Sequence, residues 1–93
     1  MLKLLRFSKK LLMRYLLFTT TTCPKCPAVK SFVAAEIKFA GETLDNTTPD
    51  FGEKVQKFGV RNAPTLLIFD DAEQEIFRGS EVSEIQDFLV SQK

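Results

Sequence analysis

The sequence predicts an α/β domain: a four-stranded mixed sheet flanked by helices, with elements in the order β-α-β-α-β-β-α. Three observations carry that prediction. At 93 residues the chain has room for one domain with one modest core. Short, β-prone apolar runs alternate with segments whose apolar residues recur at helical spacing. The last two strand candidates are separated only by an acidic turn and form an antiparallel hairpin, whereas a helix separates the first two, which implies a parallel crossover.

The elements follow in order. Tyr15-Leu16-Leu17-Phe18-Thr19 reads as a buried strand, and Thr20-Thr21-Thr22 as the polar loop after it. A helix begins around Pro24, because proline is tolerated in the first turn, and runs through Val29, Phe32, Val33 and Glu36. A second strand lies within Ile37 to Leu44, its limits blurred by Gly41. In Asp45-Asn46-Thr47-Thr48-Pro49, Thr48 is suited to cap a helix and Pro49 to open it. Phe51, Val55 and Phe58 supply that helix's apolar stripe, and Gly59 ends it. Pro64 to Phe69 is the third strand, Asp70-Asp71-Ala72-Glu73 the turn, and Glu75 to Arg78 the fourth strand, broken by Gly79. Ser83-Glu84-Ile85-Gln86 matches a capping box, and Ile85, Phe88 and Leu89 give the last helix its inner face.

Residues 1–13 are set apart as a basic extension, helical or disordered, ahead of a domain spanning residues 14–93. On a helical wheel Leu4, Leu5, Leu11, Leu12 and Tyr15 share one face, with Lys3, Arg6 and Lys10 opposite. A membrane-surface or partner-docking helix is the sharper reading of that pattern. A frayed helix, or an upstream start ahead of Met13, is the plainer one.

Composition excludes more than it suggests. The chain has no histidine, so by itself it builds no Ser-His-Asp triad, no Cys-His protease and no His-ligated zinc. A net charge of +1 gives no general electrostatic case for nucleic acid. No apolar run approaches the roughly 18 residues of a membrane span. With two cysteines and no convincing signal peptide, the expected setting is the cytoplasm and the expected state a monomer.

The chemistry therefore falls to Cys23-Pro24-Lys25-Cys26. At the entrance of a helix, Cys23 meets unpaired N–H groups and the positive end of the dipole, and Lys25 adds a charge. Cysteines so placed have pKa values lowered from about 8.5 to roughly 3.5–7.5. Cys23 is the candidate nucleophile, and Cys26, deeper, the resolving thiol of a redox-active disulfide that needs no other cofactor. A metal or iron–sulfur cluster held by the same sulfurs across a dimer is the alternative, because one CxxC supplies only two of four ligands. A non-catalytic adaptor that keeps the fold for binding is a third reading.

The segment Phe18 to Lys30, Phe-Thr-Thr-Thr-Thr-Cys-Pro-Lys-Cys-Pro-Ala-Val-Lys, resembles the active-site segment of glutaredoxin-like members of the thioredoxin superfamily. It is similar in particular to the small glutaredoxin-like proteins that accompany anaerobic ribonucleotide reductases. A second match, Gly59-Val60-Arg61-Asn62-Ala63-Pro64-Thr65, resembles the superfamily's segment before the third strand. The resemblance runs from about Arg14 to Lys93 and implies a thioredoxin-like fold and a thiol–disulfide oxidoreductase. It implies that Pro64 is the superfamily's cis-proline, lying beside the cysteines and keeping metals away. Ala63 would pair its backbone with an extended substrate strand, so that Pro24, Lys25, Ala63, Pro64 and Thr65 form the binding surface. The implied partners are protein disulfides, in the sharper form those of one dedicated reductase, and an upstream reductase that recharges the pair.

Departures from the family bear on the partners. The Trp-Cys-Gly-Pro-Cys of typical thioredoxins is absent, and so is the buried acid in the strand before the loop. Lys25 replaces the tyrosine of ordinary glutaredoxins, and their paired glycines are reduced to Gly79-Ser80, which weighs against a specific glutathione site. Asn46-Thr47-Thr48 matches a glycosylation acceptor by chance frequency, Asp70-Asp71 reads as a solvated turn, and Arg61 as a surface charge near the proline loop.

Overall fold

A computed structural model describes residues 13–91 of the chain. The elements are β1 (Arg14–Phe18), α1 (Cys26–Glu36), β2 (Gly41–Leu44), α2 (Phe51–Phe58), β3 (Thr65–Phe69), β4 (Glu75–Gly79) and α3 (Val82–Ser91). Strands lie in the order β2-β1-β3-β4. β1 runs parallel to β2, with Tyr15 opposite Gly41 and Phe18 opposite Leu44. β3 runs antiparallel to both β1 and β4. The sheet is mixed and four-stranded, in the predicted element order.

β3 shows why both faces of the sheet must be covered. All five of its residues are buried, and side chains alternate between faces along a strand. Leu66 and Ile68 join Leu17 with Val29, Val33 and Ile37 from α1 and its C-terminal cap and Ile85 from α3. Leu67 and Phe69 join Phe18, Leu44 and Val60, against which Phe51, Val55 and Phe58 of α2 pack. α1 and α3 thus cover one face and α2 the other. A continuous apolar run, without alternation, is what a strand between two helical layers requires.

Several boundaries differ from those read in the sequence, each for a local reason. α1 starts at Cys26 and not at Pro24, and the proline in its first turn is Pro27; Lys25 is the N-terminal cap residue. Its hydrogen bonding begins where the Val29 N–H donates to the Lys25 carbonyl at 3.4 Å. The second strand occupies only Gly41–Leu44. Gly41 opens it because a Cβ there would overlap the Tyr15 ring, which lies across the position. Thr48 does not cap α2: its hydroxyl accepts the Asp45 N–H at 3.0 Å, closing a turn on itself, and Pro49 stays in that turn. Asp50, with φ of 68°, leads into α2 instead.

The box at Ser83 is likewise displaced. α3 begins at Val82, and the Glu84 carboxylate caps it by accepting the N–H groups of Ser80 (2.9 Å) and Glu81 (3.0 Å). The basic extension expected over residues 1–13 lies outside the described residues except for Met13, which packs against the α1/α3 side of the core. Tyr15, assigned to its helical face, is in β1.

Other expectations match the structure. Gly59 ends α2 in the left-handed region, φ 62° and ψ 38°. The Asp70 carboxylate accepts the N–H groups of Ala72 and Gln74, both at 2.9 Å, and so organises the hairpin turn.

Candidate functional site

Thr19 sets the start of the site. It follows β1 directly and is buried; its N–H and its hydroxyl both donate to the Leu44 carbonyl, each at 2.8 Å. β1 and β2 are thereby tied at the point where the chain leaves the sheet. The loop that follows is pinned once more, by the Thr21 N–H donating to Asn46 Oδ1 at 2.9 Å. Cys23 then stands three residues ahead of α1, and Cys26 is its first residue.

The two sulfurs are bonded to one another, with Cα atoms 5.4 Å apart. The Cys26 N–H points at Cys23 Sγ, 3.1 Å away. That N–H belongs to the first turn of a helix, where no backbone acceptor is available, and sulfur takes the place of a capping oxygen. Cys26 is 2% exposed, whereas Cys23 is half-buried and open to solvent on one side. The sequence placed Cys23 in the helix entrance and Cys26 one turn in; the pair instead sits one turn earlier, with Cys23 wholly in the loop.

Register gathers the second predicted segment at the same end of the sheet. Phe18 pairs with Thr65, so the loop carrying Cys23 and the Ala63-Pro64 dipeptide leave neighbouring strands side by side. The Ala63–Pro64 peptide bond is cis. Pro64 and Thr65 are buried and Ala63 is half-buried. The Thr65 hydroxyl donates to the Asn62 carbonyl at 2.7 Å, which folds the approach to Pro64 against β3. Pro24 and Lys25 are exposed between the sulfurs.

Two contributors were not singled out as site residues in the sequence. Asn46 braces the cysteine loop across 25 residues of chain. Glu81, 56 residues from Lys25, brings its carboxylate to 3.5 Å from the Lys25 ammonium. No local pattern announces either contact, since each joins loops that only the sheet brings together. Arg61 is exposed and makes no ion pair among the described residues. Among the described residues no cluster of three or more His, Cys, Asp or Glu is arranged to hold a metal. None of their helices is long and apolar enough to cross a membrane.

Comparison with known proteins places this geometry in company. No protein-family model matches the sequence. The chain is 37% identical to a probable thioredoxin of Archaeoglobus fulgidus, in a match that takes in 58% of this chain and 63% of that protein. It superposes on thioredoxin O2 from Arabidopsis thaliana, in its oxidised state, with a TM-score of 0.72 at 16% identity, over 87% of this chain and 75% of that one. Fasciola hepatica thioredoxin gives a TM-score of 0.69 at 20% identity, over 98% of this chain and 89% of that one.

Proposed function

We propose that this chain is a member of the thioredoxin superfamily, as its likeness to a probable thioredoxin and its fold suggest, and that it is a thiol–disulfide oxidoreductase that reduces or exchanges protein disulfides through Cys23 and Cys26. The observation that carries the reading is the bonded, unequally exposed pair with a helix N–H aimed at the outer sulfur. In the reduced protein the Cys23 thiolate attacks a substrate disulfide. A Cys23–substrate bond forms as the substrate S–S bond breaks, and one substrate sulfur leaves and takes a proton. Cys26 then attacks Cys23 Sγ, closes the intramolecular disulfide and releases the second substrate thiol. Two electrons and two protons pass from the dithiol to the substrate, and an upstream dithiol reductase restores the starting state.

The same N–H that meets Cys23 Sγ in the disulfide stabilises the Cys23 thiolate when the bond opens. Pro24 and Lys25 flank the point of attack, and Ala63, Pro64 and Thr65 offer the backbone along which an extended substrate lies. A narrower role, as electron donor to a dedicated enzyme such as an anaerobic ribonucleotide reductase, is supported by the likeness of residues 18–30 to donors of that kind. A monomer working in the cytoplasm fits that role.

Titration of the purified protein in graded thiol/disulfide buffers, with free thiols blocked and masses read, tests the proposal. The expected result is a reversible two-electron transition confined to Cys23 and Cys26. Sulfurs that never pair, or that resist blocking until a chelator is added, would put the metal-carrying reading in its place. Cys26→Ser should in addition trap the physiological partner on Cys23, and Cys23→Ser should trap nothing. The trapped protein decides whether the partner is a ribonucleotide reductase.

A further inference from the structure

The cation between the two cysteines is already occupied. Lys25 is the cap residue of α1, one position before Cys26, and its ammonium meets the carboxylate of Glu81, just ahead of α3, at 3.5 Å. Both side chains are well exposed, 70% and 55%, so a docking partner reaches either. Glu81 has a second reason to be where it is, because its N–H is held by Glu84. Its backbone is fixed while its carboxylate remains free to swing. The pair is therefore a carboxylate facing an ammonium across the mouth of the redox site, both exposed to water, where such contacts are weak and exchangeable.

We propose that Glu81 is a specificity-determining residue: it neutralises Lys25 in the free protein and is displaced by partners carrying an acidic side chain beside their disulfide. The inference rests on the oxidoreductase reading above and names the substrate class of that same site. An acidic partner exchanges one carboxylate for another on Lys25 and loses little. A neutral partner leaves the internal pair intact, and a basic one is drawn to Glu81 but repelled by Lys25. Glu81 thereby moderates a preference that Lys25 creates, and the bond-making and bond-breaking steps of the exchange are unchanged.

The experiment measures single-turnover reduction of three synthetic peptide disulfides by the reduced full-length protein. The peptides differ only in carrying Glu, Gln or Lys next to the cysteine. In wild type the rates should fall in the order acidic, neutral, basic. Glu81→Gln should raise the acidic-to-neutral rate ratio about two- to fivefold at low ionic strength, the range expected of an exposed ion pair, and less at high salt. Lys25→Gln should erase the preference, and Glu81→Gln added to it should then have no further effect on the ratio. A ratio that Glu81→Gln leaves unchanged, or raises equally in the Lys25→Gln background, would overturn the inference, the latter because it reports only a long-range field. Absence of reduction of all three peptides by wild type would instead remove the oxidoreductase reading on which the inference rests.

Discussion

Cys23 and Cys26 are three residues apart, yet one faces solvent and the other is 2% exposed. Reagents that need access therefore meet Cys23 first. In the reduced protein iodoacetamide should modify Cys23 more than about tenfold faster than Cys26, as read by time-resolved peptide mapping. Equal rates would remove the assignment of nucleophile and resolving thiol. At the other side of the site mouth, the two backbone N–H groups donated to Glu84 hold its carboxyl below its ordinary value of 4.5. A carboxyl depressed by folding contributes stability that is fully present above pH 4.5 and is lost as pH falls through the folded value. Glu84→Gln should thus be less stable than wild type at neutral pH, and denaturant melts should show the gap closing on acidification. A gap independent of pH would mean that the charge is not the cause. Thr19→Val should cost about 1 kcal/mol in the same assay, because the hydroxyl bond to the Leu44 carbonyl is lost while the backbone bond remains.

At the scale of elements, α2 depends on how it ends. Gly59 takes a left-handed conformation there, and Arg78 of β4 donates to the Phe58 carbonyl at 2.6 Å and the Gly59 carbonyl at 3.3 Å. The guanidinium is itself braced by Glu75, whose carboxyl it holds below the ordinary value. A cation at the carboxyl end of a helix suits the dipole, and here it also joins α2 to the edge strand. Gly59→Ala should cost about 1 kcal/mol, the penalty of a Cβ in the left-handed region, measured by urea unfolding. A variant as stable as wild type would show that the turn relaxes to another conformation. The helix stripes and this stop were legible in the sequence, since spacing and glycine are local signals. The caps of α2 and α3 were not, because Thr48 and Ser83 have the right chemistry but Asp45 and Glu84 made the competing bonds.

Across the whole molecule, β1 and β3 are the inner strands and β2 and β4 the edges. Leu66, Leu67 and Ile68 are fully buried, on alternate faces. Leu66→Ala and Leu67→Ala should each cost about 2–5 kcal/mol, one opening the α1/α3 side and the other the α2 side. That is a large part of the roughly 5–15 kcal/mol that holds a small domain together. Native-state hydrogen exchange should find the slowest amides in β3 and faster ones at the ends of β2 and β4. Slowest exchange in an edge strand would mean that the sheet is covered there by something further.

From the chain alone came the α/β class, the element order, the apolar faces and the cysteine pair as the candidate seat of chemistry. Each rests on residue type and short-range spacing, which are local properties. The tertiary structure decided that Cys23 stands in the loop with the Cys26 N–H upon it, and that Asn46 pins that loop. It also decided that Glu81 answers Lys25. Those contacts join residues up to 56 positions apart. The two longer ones exist because β2 runs parallel to β1, and β4, antiparallel to β3, ends on the same side of the sheet as β1, which brings together loops whose sequences carry no mark of one another.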